Sequence, residues 1–209
     1  MSGINNPTYN YVKVMEFIDG GYLRKKMIDF IGTDMINYEK LRDLLGNSVI
    51  FGHDFPELIR AYYYDAIVQS SPENEKEWTR QNDYFDIIRK NDFYEVRLGR
   101  LIKSHNGQYR QKGVDILLAT DMVTKAYADH YDIAILLAGD DDMVDLVKAV
   151  KDAGKRVYGA YFMTSASKRL KDSFDRSVFL DKVIEELYWK TTRLKDKKLA
   201  ITRSKREVE

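Results

Sequence analysis

Hydrophobic and polar positions fall into two rhythms along the 209-residue chain. Nearly continuous apolar runs, "YVKVMEFID" (11–19), "RAYYYDA" (60–66), "YDIAILLAGD" (131–140) and "KRVYGAYF" (155–162), predict strands. Such runs suit a sheet covered on both faces, because neither side of the strand then meets water. "YEVRLGRLIKS" (94–104) and "RSVFL" (176–180) predict two more strands, and "HNG" (105–107) a turn. Helical spacing appears around 22–30 and 38–46, and again after a Ser-Pro stop, where Trp78, Phe85 and Ile88 share one face. "VDILLATDMVTKAYAD" (114–129) predicts a helix buried on most sides. Met143, Leu146, Val147 and Val150 predict another helix, ending at Gly154, and "SASKRLKDSF" (165–174) a short one.

The order is β-α-β-α with apolar strands, which argues for α/β architecture: a mostly parallel, doubly wound sheet with helices on both faces. Ligands of such sheets bind outside the carboxyl ends of the strands. Asp19, Asp65 and Asp140 are expected at those ends. No internal repeat interrupts the pattern, so one domain is expected over residues 11–189, followed by a basic tail over 190–209. The tail carries eight Lys/Arg against three Asp/Glu, whereas the whole chain is near neutral at +1. It is read as a contact for nucleic acid or an acidic partner, or as a solvated end.

Composition removes several classes of chemistry. With no cysteine, disulfides and thiolate metal sites are excluded, which fits a reducing cytoplasm. The longest apolar run, "IAILLA", is far too short to span a bilayer, and no secretory signal is visible. His53, His105 and His130 have neither metal-ligand spacing nor an obvious serine partner. "FIDGGYL" matches neither the dinucleotide nor the Walker glycine pattern.

What remains is carboxylate chemistry. Asp142 has the position of a helix N-cap before Met143, and Asp115 that of a cap for the helix it opens. Capping accounts for one acid of Asp140, Asp141 and Asp142, not for three. If the sheet is parallel, Asp19, Asp140 and Asp115 reach one edge, where several carboxylates stay ionised together only beside a cation. A donor set of hard oxygens points to Mg²⁺ or Mn²⁺, and such a centre serves phosphate chemistry. Just before Asp115, the stretch 96–112 carries Arg97, Arg100, Lys103, Arg110 and Lys112 without an acid, interleaved with His105 and Tyr109. It is read either as a phosphate-facing patch or as a solvated strand face. Ser165 and Ser167 precede a helix, as plain N-caps or as a phosphate seat.

"FIDGGYL", "YYYDA", "QKGVDILLATDMV", "YDIAILLAGDDDMVDLVKAVKDAGKRVYG" and "SASKRLKDSFDRSVFL" occur in an order that resembles the NYN domain nucleases of the PIN-like superfamily, the LabA-like branch in particular. The resemblance extends from about Val14 to Leu180 and implies a Rossmann-like PIN fold with a metal-dependent acidic centre. It implies Asp19, Asp115, Asp140 and Asp142 as catalytic and metal-binding acids, with Asp65, Asp121, Asp141 and Asp175 at supporting positions. Two departures stand out. Tyr22 occupies a place where many relatives have Asn, and "AGDDDM" replaces a common "SGDSDF", adding Asp141.

The expectation is therefore a cytoplasmic, metal-dependent ribonuclease acting on single-stranded RNA. Arg100, Arg110, Lys112, Ser165 and Ser167 would contact the strand. A non-catalytic RNA-binding module of the same fold and a phosphatase for small phosphoesters are the rival readings.

Overall fold

The computed structural model describes residues 10–50, 54–103 and 109–188. His53, His105, the expected turn at 105–107 and the basic tail lie outside them. β1 (Asn10–Asp19) leads into α1 (Gly20–Ile31) and α2 (Tyr38–Asn47). β2 (Asp54–Val68), α3 (Glu75–Arg89) and β3 (Tyr94–Lys103) follow, then a short β4 (Tyr109–Lys112) and α4 (Val114–Tyr127). β5 (Ile133–Leu137), α5 (Met143–Asp152), β6 (Arg156–Tyr161), α6 (Lys168–Ser173), β7 (Arg176–Phe179) and α7 (Ile184–Leu187) come after these.

The strands form one sheet in the order β4-β3-β2-β1-β5-β6-β7, parallel except for the antiparallel edge strand β4. The expected α/β sheet with helices on both faces is therefore what the chain forms. β1 alternates between the two cores, as the period of two in a strand requires. Val14 and Ile18 pack with Leu23 and Met27 of α1, Leu41 and Leu45 of α2 and Phe85 and Ile88 of α3. Met15 and Phe17 pack on the other face with Leu118 and Met122 of α4 and Val147 of α5. Each fully buried Leu, Ile or Phe stabilises the fold by about 1.5–3 kcal/mol, so the two apolar layers set the position of everything polar at the rim.

Three details differ from the sequence reading. α4 buries only one face (Val114, Leu118, Met122 and Ala126), while Ile116 is 72% and Tyr127 67% exposed. Its apolar content exceeds what the sheet can cover. β2 continues past Asp65 to Val68, so Asp65 lies inside a strand and not at its end. β4 was not expected: four exposed, largely polar residues carry no apolar alternation, and only pairing with β3 makes them a strand.

Candidate functional site

β1 and β5 lie side by side, with Ile18 opposite Leu137, so their carboxyl ends open together. From this pair the chain proceeds outward in both directions, through β2 and β3 on one side and β6 and β7 on the other. That is the switch point at which open α/β sheets form a crevice. Tight packing shapes it. Gly20 lies against the ring of Tyr63 and Gly139 against the ring of Tyr22, with no room for a Cβ at either position.

Asp19 ends β1 and caps α1, its carboxylate accepting the Tyr22 backbone N–H at 3.0 Å. It is only 8% exposed. Burial raises its pKa to about 6, with the charges of Asp115, Asp65 and Asp140 adding to the rise and the Tyr22 N–H opposing it. Asp115 sits in the first turn of α4, after Gly113, and does not cap that helix with its side chain. Its pKa is also raised, by partial loss of solvent and then by the charges of Asp140 and Asp142. Asp142 stands at the N-cap of α5 in helical conformation and makes no capping hydrogen bond. The side chains of Asp115, Asp140 and Asp142 are exposed and have no hydrogen-bond or ion-pair partner among the described residues. The capping explanation fails for Asp115 and Asp142, whereas Asp19, for which no cap was expected, is the acid that caps a helix.

The supporting acids are placed differently, because each is already neutralised. Asp65 is fully buried in a two-pronged ion pair with Arg24, whose Nε and Nη2 both donate at 2.9 Å. The Ala66 N–H at 2.7 Å, Gln111 Nε2 at 3.4 Å and Tyr63 Oη at 3.4 Å also donate to it. Asp121 accepts from Tyr64 Oη at 3.0 Å and Lys125 Nζ at 2.9 Å, tying α4 to β2. Asp141 meets Arg169 and accepts from Ser167 Oγ at 2.7 Å, which anchors α6. Asp175 accepts the Val157 N–H at 2.7 Å and pairs with Lys151 at 2.8 Å, beside β6 and away from the crevice.

Among the cations, Arg97 leaves the expected patch, since it pairs with Glu95 at 2.7 Å. Arg100 lies directly across the β3–β4 pair from Lys112, and Ile102 across from Arg110. Opposed residues of an antiparallel pair share a face, so Arg100, Lys112 and Arg110 form one cationic row. None of the three has an acidic partner among the described residues. β4 ends at Lys112, and Gly113 leads directly into the first turn of α4 with Asp115, bringing this row to the acids. Ser167 caps α6, accepting from the Leu170 N–H at 3.0 Å, and Ser165 Oγ bonds Tyr22 Oη at 2.8 Å. Both serines are therefore engaged within the protein. His130 lies ahead of β5, at the opposite end of the strand from the acids.

Sequence reasoning missed Arg24, Gln111 and the part played by Tyr22. Nothing in a lone Arg on a helix announces a buried aspartate on β2. Tyr22 stands where an amide was expected, and its hydroxyl accepts the Phe162 N–H at 3.1 Å. It thereby ties α1 to the loop after β6.

Among the described residues, no three acidic, histidine or cysteine side chains are already arranged to hold a metal ion. The donor chemistry nonetheless suits a hard divalent cation. Asp19, Asp115, Asp140 and Asp142 offer only carboxylate oxygens, three of them unpartnered, and loss of solvent together with mutual repulsion raises two of their pKa values. No helix of the described residues is long and apolar enough to cross a membrane.

No curated protein matches the chain. Its fold is similar to that of a solved Vibrio parahaemolyticus protein of unknown function, at 20% identity and a TM-score of 0.62, over 84% of this chain and 97% of that one. The family model of the NYN domain matches residues 13–181, from the middle of β1 to just after β7, and so takes in all four acids of the crevice. The chain belongs to the NYN domain family of the PIN-like superfamily, a family made up generally of nucleases.

Proposed function

We propose that the protein is a metal-dependent endoribonuclease that hydrolyses phosphodiester bonds of single-stranded RNA. The observation that carries this reading is the trio of unpartnered carboxylates, Asp115, Asp140 and Asp142, gathered with the nearly buried Asp19 at the open ends of β1 and β5. A solvated acidic face has no reason to bury one member and set the others against it. Asp19, Asp115, Asp140 and Asp142 would hold Mg²⁺ or Mn²⁺, which when bound supplies an activated water and neutralises charge on the scissile phosphate. Asp142, exposed at the start of α5, would orient that water or hold a second ion. Arg100, Arg110 and Lys112 bind the phosphates of the strand and position it without reading sequence. Asp65, held by Arg24, keeps α1 and therefore Asp19 in place. Cysteine-free composition supports a reducing, cytoplasmic setting.

Purified protein incubated with single-stranded RNA is expected to cleave it in Mn²⁺ or Mg²⁺ and to spare it in EDTA. Asp19→Asn and Asp140→Asn each abolish cleavage with the circular dichroism spectrum unchanged, since Asn retains the capping capacity of Asp19 and Asp140 is exposed. Cleavage that survives in the double variant identifies a contaminating ribonuclease. RNA binding without cleavage by the wild type assigns the chain to the non-catalytic reading.

A further inference from the structure

A second polar groove, of about 430 Å³, opens at the far end of the β3–β4 ribbon. Gln69, Ser71 and Asn74 of the turn between β2 and α3 line one wall, and Arg100, Lys103 and Tyr109 the other. The turn carries amides that the protein itself leaves free. Ser71 Oγ donates to Asn74 Oδ1, so the Asn74 amide nitrogen keeps both its donors. The Gln69 side chain is exposed and has no partner among the described residues. Opposite them the Tyr109 ring is 49% exposed on an edge strand with no apolar function.

The groove lies on strands that lead away from the acidic centre. Asp19 lies opposite Tyr64, and Val68, where β2 ends at the groove, is four residues farther along that strand, or about 13 Å at 3.3 Å per residue. The cationic row of β3 and β4 runs along the interval on one face of the ribbon. Lys103 and Tyr109, which oppose each other one position beyond it, lie on the other face at the groove end. Arg100 and Lys112 face each other directly, an arrangement that repels unless an anion lies along it. A polyanion is therefore guided from the acids to a place that combines cations, free amides and an exposed aromatic ring. Phosphate alone would need no ring or amides, and an apolar peptide no cations. A single-stranded nucleotide needs all three.

We infer that this groove is a nucleobase subsite, in which a base unstacked from the strand lies on Tyr109 with its edge toward Asn74 and Gln69. Arg100 and Lys103 receive the adjoining phosphates. The inference rests on the nuclease reading and adds to it a second point of attachment, which sets where along the strand the scissile bond falls. A duplex cannot use it, because its bases are already stacked and paired.

The test measures fluorescence anisotropy of a labelled 12-nucleotide single-stranded RNA with Asp140→Asn protein, and maps cleavage positions with the otherwise wild-type chain. Tyr109→Ala is expected to weaken binding by about 5- to 100-fold, the loss of one stacked base, and to scatter the cleavage positions. Tyr109→Phe keeps both, and Asn74→Ala weakens binding for some bases more than for others. An oligomer abasic throughout binds with the same affinity whether or not the Tyr109→Ala substitution is present. The salt dependence is unchanged by Tyr109→Ala and reduced by Arg100→Ala. If Tyr109→Ala and Asn74→Ala both leave affinity and cleavage positions unaltered while the wild type cleaves, the subsite is overturned and the nuclease reading stands. If the wild type neither binds nor cleaves RNA, both are overturned together.

Discussion

Glu16 stands on β1 between Val14 and Ile18, facing the core layer of α1 and α2, and neither of its buried oxygens has a hydrogen-bond partner. Burial raises its pKa well above the ordinary carboxylate value, partly offset by the positive charge of Arg42 and reinforced by Asp43. The folded protein thus holds a proton there that the unfolded chain releases near pH 4.3, roughly the free Glu value. Its contribution to stability is full below that pH and is lost as pH rises toward the raised folded value. Glu16→Met, of similar volume, is expected to stabilise the protein at pH 8 by about 1–3 kcal/mol and to flatten the decline in stability from pH 4 to pH 8. Urea denaturation across that range measures both. Arg24 has the opposite role. Its guanidinium is the counter-charge of a fully buried Asp65. Arg24→Ala leaves that carboxylate uncompensated, at a cost of about 3–5 kcal/mol. Arg24→Ala combined with Asp65→Asn should recover much of it, because the stranded charge is then gone.

At the scale of elements, the crevice is held open by cross-links between segments distant in sequence. The Tyr22 ring from α1 packs on Gly139 after β5, and its hydroxyl joins the loop that follows β6. Gly139→Ala inserts a methyl group where that ring lies and is expected to cost about 1–3 kcal/mol, as overpacking does. It should also weaken the proposed binding of Mn²⁺ or Mg²⁺, since the loop carrying Asp140 must shift. Tyr22→Ala in the same chain restores room, and partial recovery of the melting temperature would identify the clash as the cause. α6 is anchored in parallel fashion. Ser167 caps it and also donates to Asp141, while Arg169 returns to the same carboxylate. Ser167→Ala should cost about 1 kcal/mol by loss of the cap while leaving the proposed Mn²⁺-dependent cleavage in place. Asp141 is thus the acid of the triplet that serves packing.

For the whole molecule, the acidic crevice is a place of stored repulsion at the edge of an otherwise apolar sheet. A cation that binds the folded chain and not the unfolded one stabilises it by mass action, about 2.7 kcal/mol at a hundred times its Kd. The melting temperature is expected to rise with millimolar Mn²⁺ and to rise much less in Asp140→Asn. An equal rise in wild type and variant would locate the ion elsewhere.

Much of this was legible in one dimension. The nearly continuous apolar runs of β1, β5 and β6 call for cover on both faces, which argues for a parallel sheet. The acids that follow the runs of β1 and β5 then fall at its carboxyl edge. Asp19, Asp115, Asp140 and Asp142 stood out because local capping could not absorb them all. Other features depend on neighbours that sequence spacing does not reveal. Asp65, Asp121, Asp141 and Asp175 look like the crevice acids in the chain, and only packing gives them Arg24, Lys125, Arg169 and Lys151 as partners. β4 has no apolar rhythm and becomes a strand only because β3 offers it an edge. Periodicity records which residues must leave water, and so determines the layers. Which charge meets which is decided by contacts between segments far apart in the chain, and those exist only once the layers have packed.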